Sequence, residues 1–285
     1  ISFLSNNISF WIAFPEYPLN LFVDHFVLME GTPSSREEKL FPNNKAEVFF
    51  NLGDPLTGQS HGSHQQVFHL KESVVSGARH SYFSFEPGTY LSMAGLRFTL
   101  FGFYHVFGIP AQHFTNRNFE AMDVWGREME RVRECLLEAK DLVGRIRVLQ
   151  DWIAAKVPGA SVRDMQKWKQ VEDRFCCQEE SVAVFLQKML GYSHKHSIRL
   201  IKEKSGLTPK TIQKVNRFSR ALRMLNHPTF VNWAQLALDA GYADQSHFIR
   251  EFSHFSGYTP ATYLHDKPRI YKLHEQLEAS SKTRE

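Results

Sequence analysis

The sequence predicts an α+β multidomain protein: a small N-terminal β-barrel or sandwich followed by helices, then a C-terminal all-α domain. Three observations predict it. Short apolar runs bounded by Gly and Pro turns fill the first 115 or so residues. From Arg117 onward the apolar residues recur at spacings of three and four. One unit is written twice near the C-terminus, "GYSHKHSIRLIKEKSGLTP" from Gly191 and "GYADQSHFIREFSHFSGYTP" from Gly241.

Composition narrows the class. With 285 residues the chain can bury two cores, and 42% hydrophobic and 13% aromatic content exclude a disordered polymer. No run approaches the roughly 18 apolar residues of a membrane span. The opening "ISFLSNNISFWIAF" is broken by Ser and Asn and lacks a basic lead, so it reads as strand and not as a signal peptide. Cys135, Cys176 and Cys177 form no disulfide framework or spaced metal motif, which suits a reducing cytoplasm.

The N-terminal elements follow in order. "AEVFFNLGD" alternates into a Gly-Asp turn, "QQVFHL" is a brief strand, "GARHSYFSF" ends at Pro87-Gly88, and "AGLRFTLFGF" reads as a strand from Gly95. In "WGREMERVRECLLEAK", Met129, Val132 and Leu136 share a helix face; Leu142, Ile146, Leu149 and Ile153 share another. These helices are expected to cover the barrel or to dimerise. The expected boundaries are 1–157 for a β-rich sensor or dimerisation domain, 158–180 for a linker, 181–266 for the all-α domain and 267–285 for a charged tail.

In the all-α domain, Val182, Phe185, Leu186, Met189 and Leu190 form one helix face that Gly191 ends; Ser193 caps the next helix. The second copy repeats this with Trp233, Leu236, Ala237 and Ala240, then Gly241, Asp244 as cap, and Phe248, Phe252 and Phe255 inward. Pro209 opens a long helix with Ile212, Val215, Phe218, Leu222 and Leu225 on one stripe, and with Lys214, Arg217, Arg220 and Arg223 mostly off it. Each copy is therefore a helix-turn-helix. Two such units on one spacer of about 25 Å suit successive major grooves, about 34 Å apart on one face of DNA. Charge agrees: residues 181–268 hold 12 Lys and Arg against 5 Asp and Glu, a net +7, whereas 1–180 hold 18 against 22, a net −4. A basic domain beside an acidic one points to a polyanion at the first.

"LALDAGYADQSHFIREFSHFSGYTP" and "LTPKTIQKVNRFSRAL" resemble the C-terminal DNA-binding domain of AraC/XylS-type bacterial transcription regulators. The resemblance covers roughly residues 180 to 265. It implies that His194, Lys195, Ile198 and Arg199 in the first unit, and Gln245, Ser246, Ile249 and Arg250 in the second, face the groove. Their chemistry fits. Arginine forks onto guanine or grips phosphate, glutamine pairs with an adenine edge, and isoleucine touches a thymine methyl. The first copy departs from the family pattern at Ser197, where a buried Leu is usual, and at Gln187, where a small Ala is usual. A polar group buried there without a partner costs about 1 to 3 kcal/mol, so the first unit is expected to be looser or less selective than the second.

"PEYPLNLFVDHF", "GLRFTLFGFYHVFGIP" and "NFEAMDVWGREMERV" are similar to the cupin-like N-terminal domain of one AraC subgroup, whose Phe-x-Pro-Gly-Gly is replaced here by Phe98-Thr99-Leu100-Phe101-Gly102. The aromatic set Tyr82, Phe83, Phe85, Phe98, Phe101, Phe103, Tyr104 and Phe107 fits a barrel core or an apolar ligand pocket. His61, His64 and His69 lack the spacing of a metal site, and no catalytic constellation is seen, so neither metal, cofactor nor enzyme activity is expected. The partners admitted are double-stranded DNA, a small-molecule effector, a second copy of the chain and RNA polymerase, with no membrane. Two rival readings stay open: a metal-dependent cupin enzyme with a helical appendage, and a protein-interaction module whose DNA binding has degenerated.

Overall fold

The alternating runs of the N-terminal half form two antiparallel sheets that share one apolar interior. A computed structural model of the chain describes residues 2–5, 7–34, 37–61, 66–157, 159–176, 182–226 and 232–270. The opening run is a hairpin, β1 (Ser2–Ser5) and β2 (Ile8–Ala13), turned by left-handed Asn7. They are followed by β3 (Val23–Gly31), β4 (Glu38–Leu40), β5 (Glu47–Asn51), β6 (Leu56–Ser60), β7 (Val67–Leu70), β8 (Ser73–Ser76), β9 (Phe83–Glu86) and β10 (Leu91–Phe98). With β11 (Asn118–Glu120), the larger sheet runs β1-β2-β3-β10-β5-β8-β11 and the smaller β4-β9-β6-β7.

Strand alternation sends side chains to opposite faces. Phe10, Ile12, Val27, Met29 and Met93 of the larger sheet meet Leu56 and Leu70 of the smaller one inside the sandwich. Phe26, Leu28, Val48, Phe50, Ala94 and Leu96 face the other way, toward helices. The aromatic set divides between the two layers. Phe83 and Phe85 lie with the inner cluster's strands, whereas Phe98, Phe101, Phe103 and Phe107 pack on the helical side, so they line no common pocket.

Three expectations are corrected. The strand expected through Phe103 stops at Phe98: the Thr99 hydroxyl donates to the carbonyls of Leu21 and Phe22, at 2.7 and 3.2 Å, and the chain turns into α1 (Gly102–Phe107). Gly102 lies so close to the Phe22 carbonyl that a Cβ would collide with it. Helix does not begin at Arg117, because Asn118–Glu120 pairs with β8 as an edge strand before α2 (Ala121–Trp125). The segment expected to be a linker contains an 18-residue helix, introduced below as α5.

On the larger sheet's outer face lie α3 (Glu128–Glu138) and α4 (Leu142–Ala154), with Met129, Val132, Leu136, Leu149 and Ile153 buried and Trp152 edge-on to Phe50. Helix α5 (Gly159–Cys176) joins the same core through Met165, Trp168, Val171 and Phe175. Glu172 of α5 accepts from the Leu100 amide at 3.2 Å.

The remaining helices are α6 (Val182–Leu190), α7 (His194–Ser205), α8 (Pro209–Asn226), α9 (Trp233–Ala240), α10 (Gln245–Ser256) and α11 (Pro260–Ile270). Their packing does not follow the chain order. Leu186, Ile201, Leu207 and Ile212 join the core of the N-terminal half, while Val215, Phe218, Leu222 and Leu225 pack with α9, α10 and α11 in a separate core. Helix α8 therefore spans two cores.

The N-terminal half grips both helix-turn-helix units. At the first, the Lys204 ammonium sits 3.8 Å over Tyr104 and 5.0 Å from the Trp168 ring centre, and Thr115 donates to the Gly206 carbonyl at 2.7 Å. At the second, Phe41 enters the separate core against Phe218 and Tyr263. Asn44 donates to Asn216 at 2.6 Å, Asn216 donates to the Phe175 carbonyl at 3.1 Å, and Lys39 lies 4.1 Å over Tyr258.

Candidate nucleic-acid interface

The duplicated signature is a set of capping devices. Gly191 and Gly241 end the first helix of each unit at φ of +69° and +92°, a left-handed conformation that lacks a Cβ clash only for glycine. The Ser193 and Asp244 side chains then accept from the amides of His196 and His247, at 3.3 and 2.7 Å, and start α7 and α10. At the far ends, the hydroxyls of Ser205 and Ser256 donate to the carbonyls four residues back, at 2.8 and 2.7 Å. They also accept from the amides of Leu207 and Tyr258. Thr208 and Thr259 accept from Thr211 and Thr262 and cap the next helix, with Pro at its first position. Ser-Gly-x-Thr-Pro thus closes one helix and opens another, which is why it recurs while the residues between vary.

All eight residues expected to face a groove lie on α7 and α10. His194, Lys195, Arg199, Gln245, Ser246 and Arg250 are exposed; Ile198 and Ile249 are half-buried. The inward sides are sealed by Ile201 in α7 and by Phe248, Phe252 and Phe255 in α10.

The polar departures in the first unit separate. Ser197 is fully buried and its hydroxyl has no hydrogen-bond partner among the described residues. Gln187 is exposed, so the penalty expected there does not arise. The spacer's basic residues are likewise not all turned outward. Glu251 of α10 is buried, and it accepts from Arg217 at 3.1 Å, with Lys214 at 3.5 Å and His247 at 3.6 Å. Arg217 and Lys214 thereby tie α8 to α10. Beside them the buried Tyr242 hydroxyl has no hydrogen-bond partner among the described residues, and burial together with the nearby Glu251 charge pushes its pKa up.

The histidines do not converge. His61 stacks on Tyr82 and bonds Ser84, His69 bonds Thr57, and His64 lies outside the described residues. Among the described residues no three His, Cys, Asp or Glu side chains are grouped to hold a metal, and no helix is long and apolar enough to cross a membrane. The residue that sequence reasoning missed is His196, whose ring meets Arg199 at 3.1 Å and Tyr192 edge-on at 4.6 Å. The signal was available: His stands three residues before Arg in both copies.

Two helix-turn-helix units with outward second helices define the class, a DNA-binding transcription regulator. Residues 186–266 match the family described as a helix-turn-helix domain, so the chain carries a DNA-binding domain of the AraC/XylS type. Residues 13–120 match a domain of unknown function (DUF6597). No curated protein matches the chain. Among solved structures, ToxT from Vibrio cholerae is 11% identical with a TM-score of 0.41, covering 80% of this chain and 96% of that one. Unsaturated fatty acid-bound ToxT from Vibrio cholerae strain SCE256 is 11% identical with a TM-score of 0.40, covering 84% and 94%. A mutant of Bacillus subtilis oxalate decarboxylase is 12% identical with a TM-score of 0.29, covering 34% and 26%.

Proposed function

We propose that this regulator reads DNA with both units, α7 and α10 entering successive major grooves. His194, Lys195, Ile198 and Arg199 would contact one groove, and Gln245, Ser246, Ile249 and Arg250 the other. The observation that carries the reading is that each unit buries its scaffold side and leaves six of these outer residues exposed, with Ile198 and Ile249 half-buried beside them. Spacer α8, with 18 residues, is about 27 Å long and supports a fixed separation. Acting in the cytoplasm, the N-terminal half would regulate by holding or releasing the two units it grips. An effector could work only through unequal affinity for the two arrangements.

The test is binding to fragments selected from a random DNA pool. Arg250→Ala and Arg199→Ala should each cost about 1 to 3 kcal/mol on the selected site and relax preference at one position. Lys195→Ala should weaken all sequences evenly and lower the salt slope by about 1. Unchanged affinity in both arginine variants would exclude the reading.

A further inference from the structure

Superposing the two copies by their caps makes His196 equivalent to His247 and Arg199 to Arg250, yet the two pairs are wired differently. In α7, Arg199 donates to His196 Nδ1 at 3.1 Å, and the His196 ring is buttressed edge-on by Tyr192, the aromatic of the Gly-Tyr turn, at 4.6 Å. In the second unit Tyr242, the aromatic of that unit's own Gly-Tyr turn, meets His247 edge-on at 5.3 Å, but the imidazole Nε2 faces Glu251 at 3.6 Å. Among the described residues the Arg250 guanidinium makes no hydrogen bond or ion pair. One of the positions at which the copies differ meets the imidazole directly. The residue four after the histidine is Glu251 in the second unit and Leu200 in the first. A carboxylate one helical turn on attracts the imidazole; a leucine leaves it for the arginine.

The consequence concerns discrimination between bases. An arginine fork reads guanine through two parallel bonds of fixed geometry, so a guanidinium held in one rotamer loses less entropy on contact than a mobile one. Held by an acceptor nitrogen, Arg199 keeps its other N–H groups for the groove. Arg250, without such a partner, can follow a phosphate or a base equally well.

Resting on the proposed DNA reading, we infer that His196 is a positioning residue for Arg199, and that the first unit discriminates at a single base pair more sharply than Arg250 does in the second. This reverses the expectation that the first unit is the less selective one. His196 need not touch DNA.

The experiment selects sites from a random pool with the full chain and its variants and compares base preference position by position. Arg199→Ala should flatten one position by about 5- to 150-fold, the range of a bidentate contact. His196→Ala should flatten the same position by about 2- to 10-fold, the effect of freeing one long side chain. His196→Gln, whose amide oxygen can again accept from Arg199, should restore it, and His247→Ala should leave the position read by Arg250 unchanged. Equal weakening at all positions in His196→Ala, or no change where Arg199→Ala has an effect, overturns the inference while leaving the DNA reading intact. No flattening in Arg199→Ala overturns the inference, and unchanged affinity in both Arg199→Ala and Arg250→Ala overturns the DNA reading with it.

Discussion

Phe41→Ala tests the grip of the N-terminal half on the second unit. Phe41 is 1% exposed and packs on Phe218 and Tyr263, with ring centres 5.8 and 6.0 Å away, inside a core otherwise built from α8 to α11. A buried phenylalanine hides about 150 to 250 Å². At about 25 cal/mol per Å² that is about 4 to 6 kcal/mol as an upper bound, and measured Phe→Ala losses run about 3 to 5 kcal/mol. Because the ring belongs to one half and its contacts to the other, the loss should fall on coupling. Urea unfolding followed by far-UV circular dichroism and by tryptophan fluorescence should coincide for the native chain. In the variant the helical signal should fall earlier, since Trp125, Trp152 and Trp168 report mainly on the N-terminal core. A single coincident transition within about 1 kcal/mol of the native midpoint, inside the spread of ordinary substitutions, would refute the coupling.

Two further outcomes are expected. Ser197→Ala removes a buried hydroxyl without a partner and places a better helix former in α7, so it should stabilise by about 1 kcal/mol, seen as a rise in melting temperature of about 2 to 4 °C. A fall in melting temperature would show that the hydroxyl is satisfied. For His105, burial, reinforced by the Lys204 charge, lowers its pKa from 6.5 to about 4. Its folded pKa lies below the unfolded one, so its contribution is present above about pH 6.5 and is lost as pH falls toward 4. His105→Gln should flatten the stability profile in that window, and an unchanged profile would place the acid sensitivity elsewhere.

Much of the surface of the two helix-turn-helix units was legible because capping and periodicity are local. Gly191, Ser193, Gly241 and Asp244 act where the sequence puts them, and the buried stripes of α8 and α10 follow helical spacing. Helix α5 was legible too, in the spacing of Met165, Trp168, Val171 and Phe175, but its polar composition and position between two domains read as a linker. The end of the run, Thr99 to Phe103, was misread because a continuous apolar run has no period that separates strand from helix. The carbonyl that turns it, that of Phe22, is 77 residues from Thr99.

The sequence alone determined the two helix-turn-helix units, their caps and the outward residues of α7 and α10, since each depends on neighbours within a few positions, and it gave the domain that holds them a net basic charge. Only the tertiary structure decided that α7 shares its core with the N-terminal half and that Phe41 completes the core of α10. The same holds for the wiring of the paired histidines, one toward arginine and the other toward glutamate. Those outcomes depend on which apolar surfaces meet and which charges are desolvated together, quantities set by the packed chain and not by any short stretch of it.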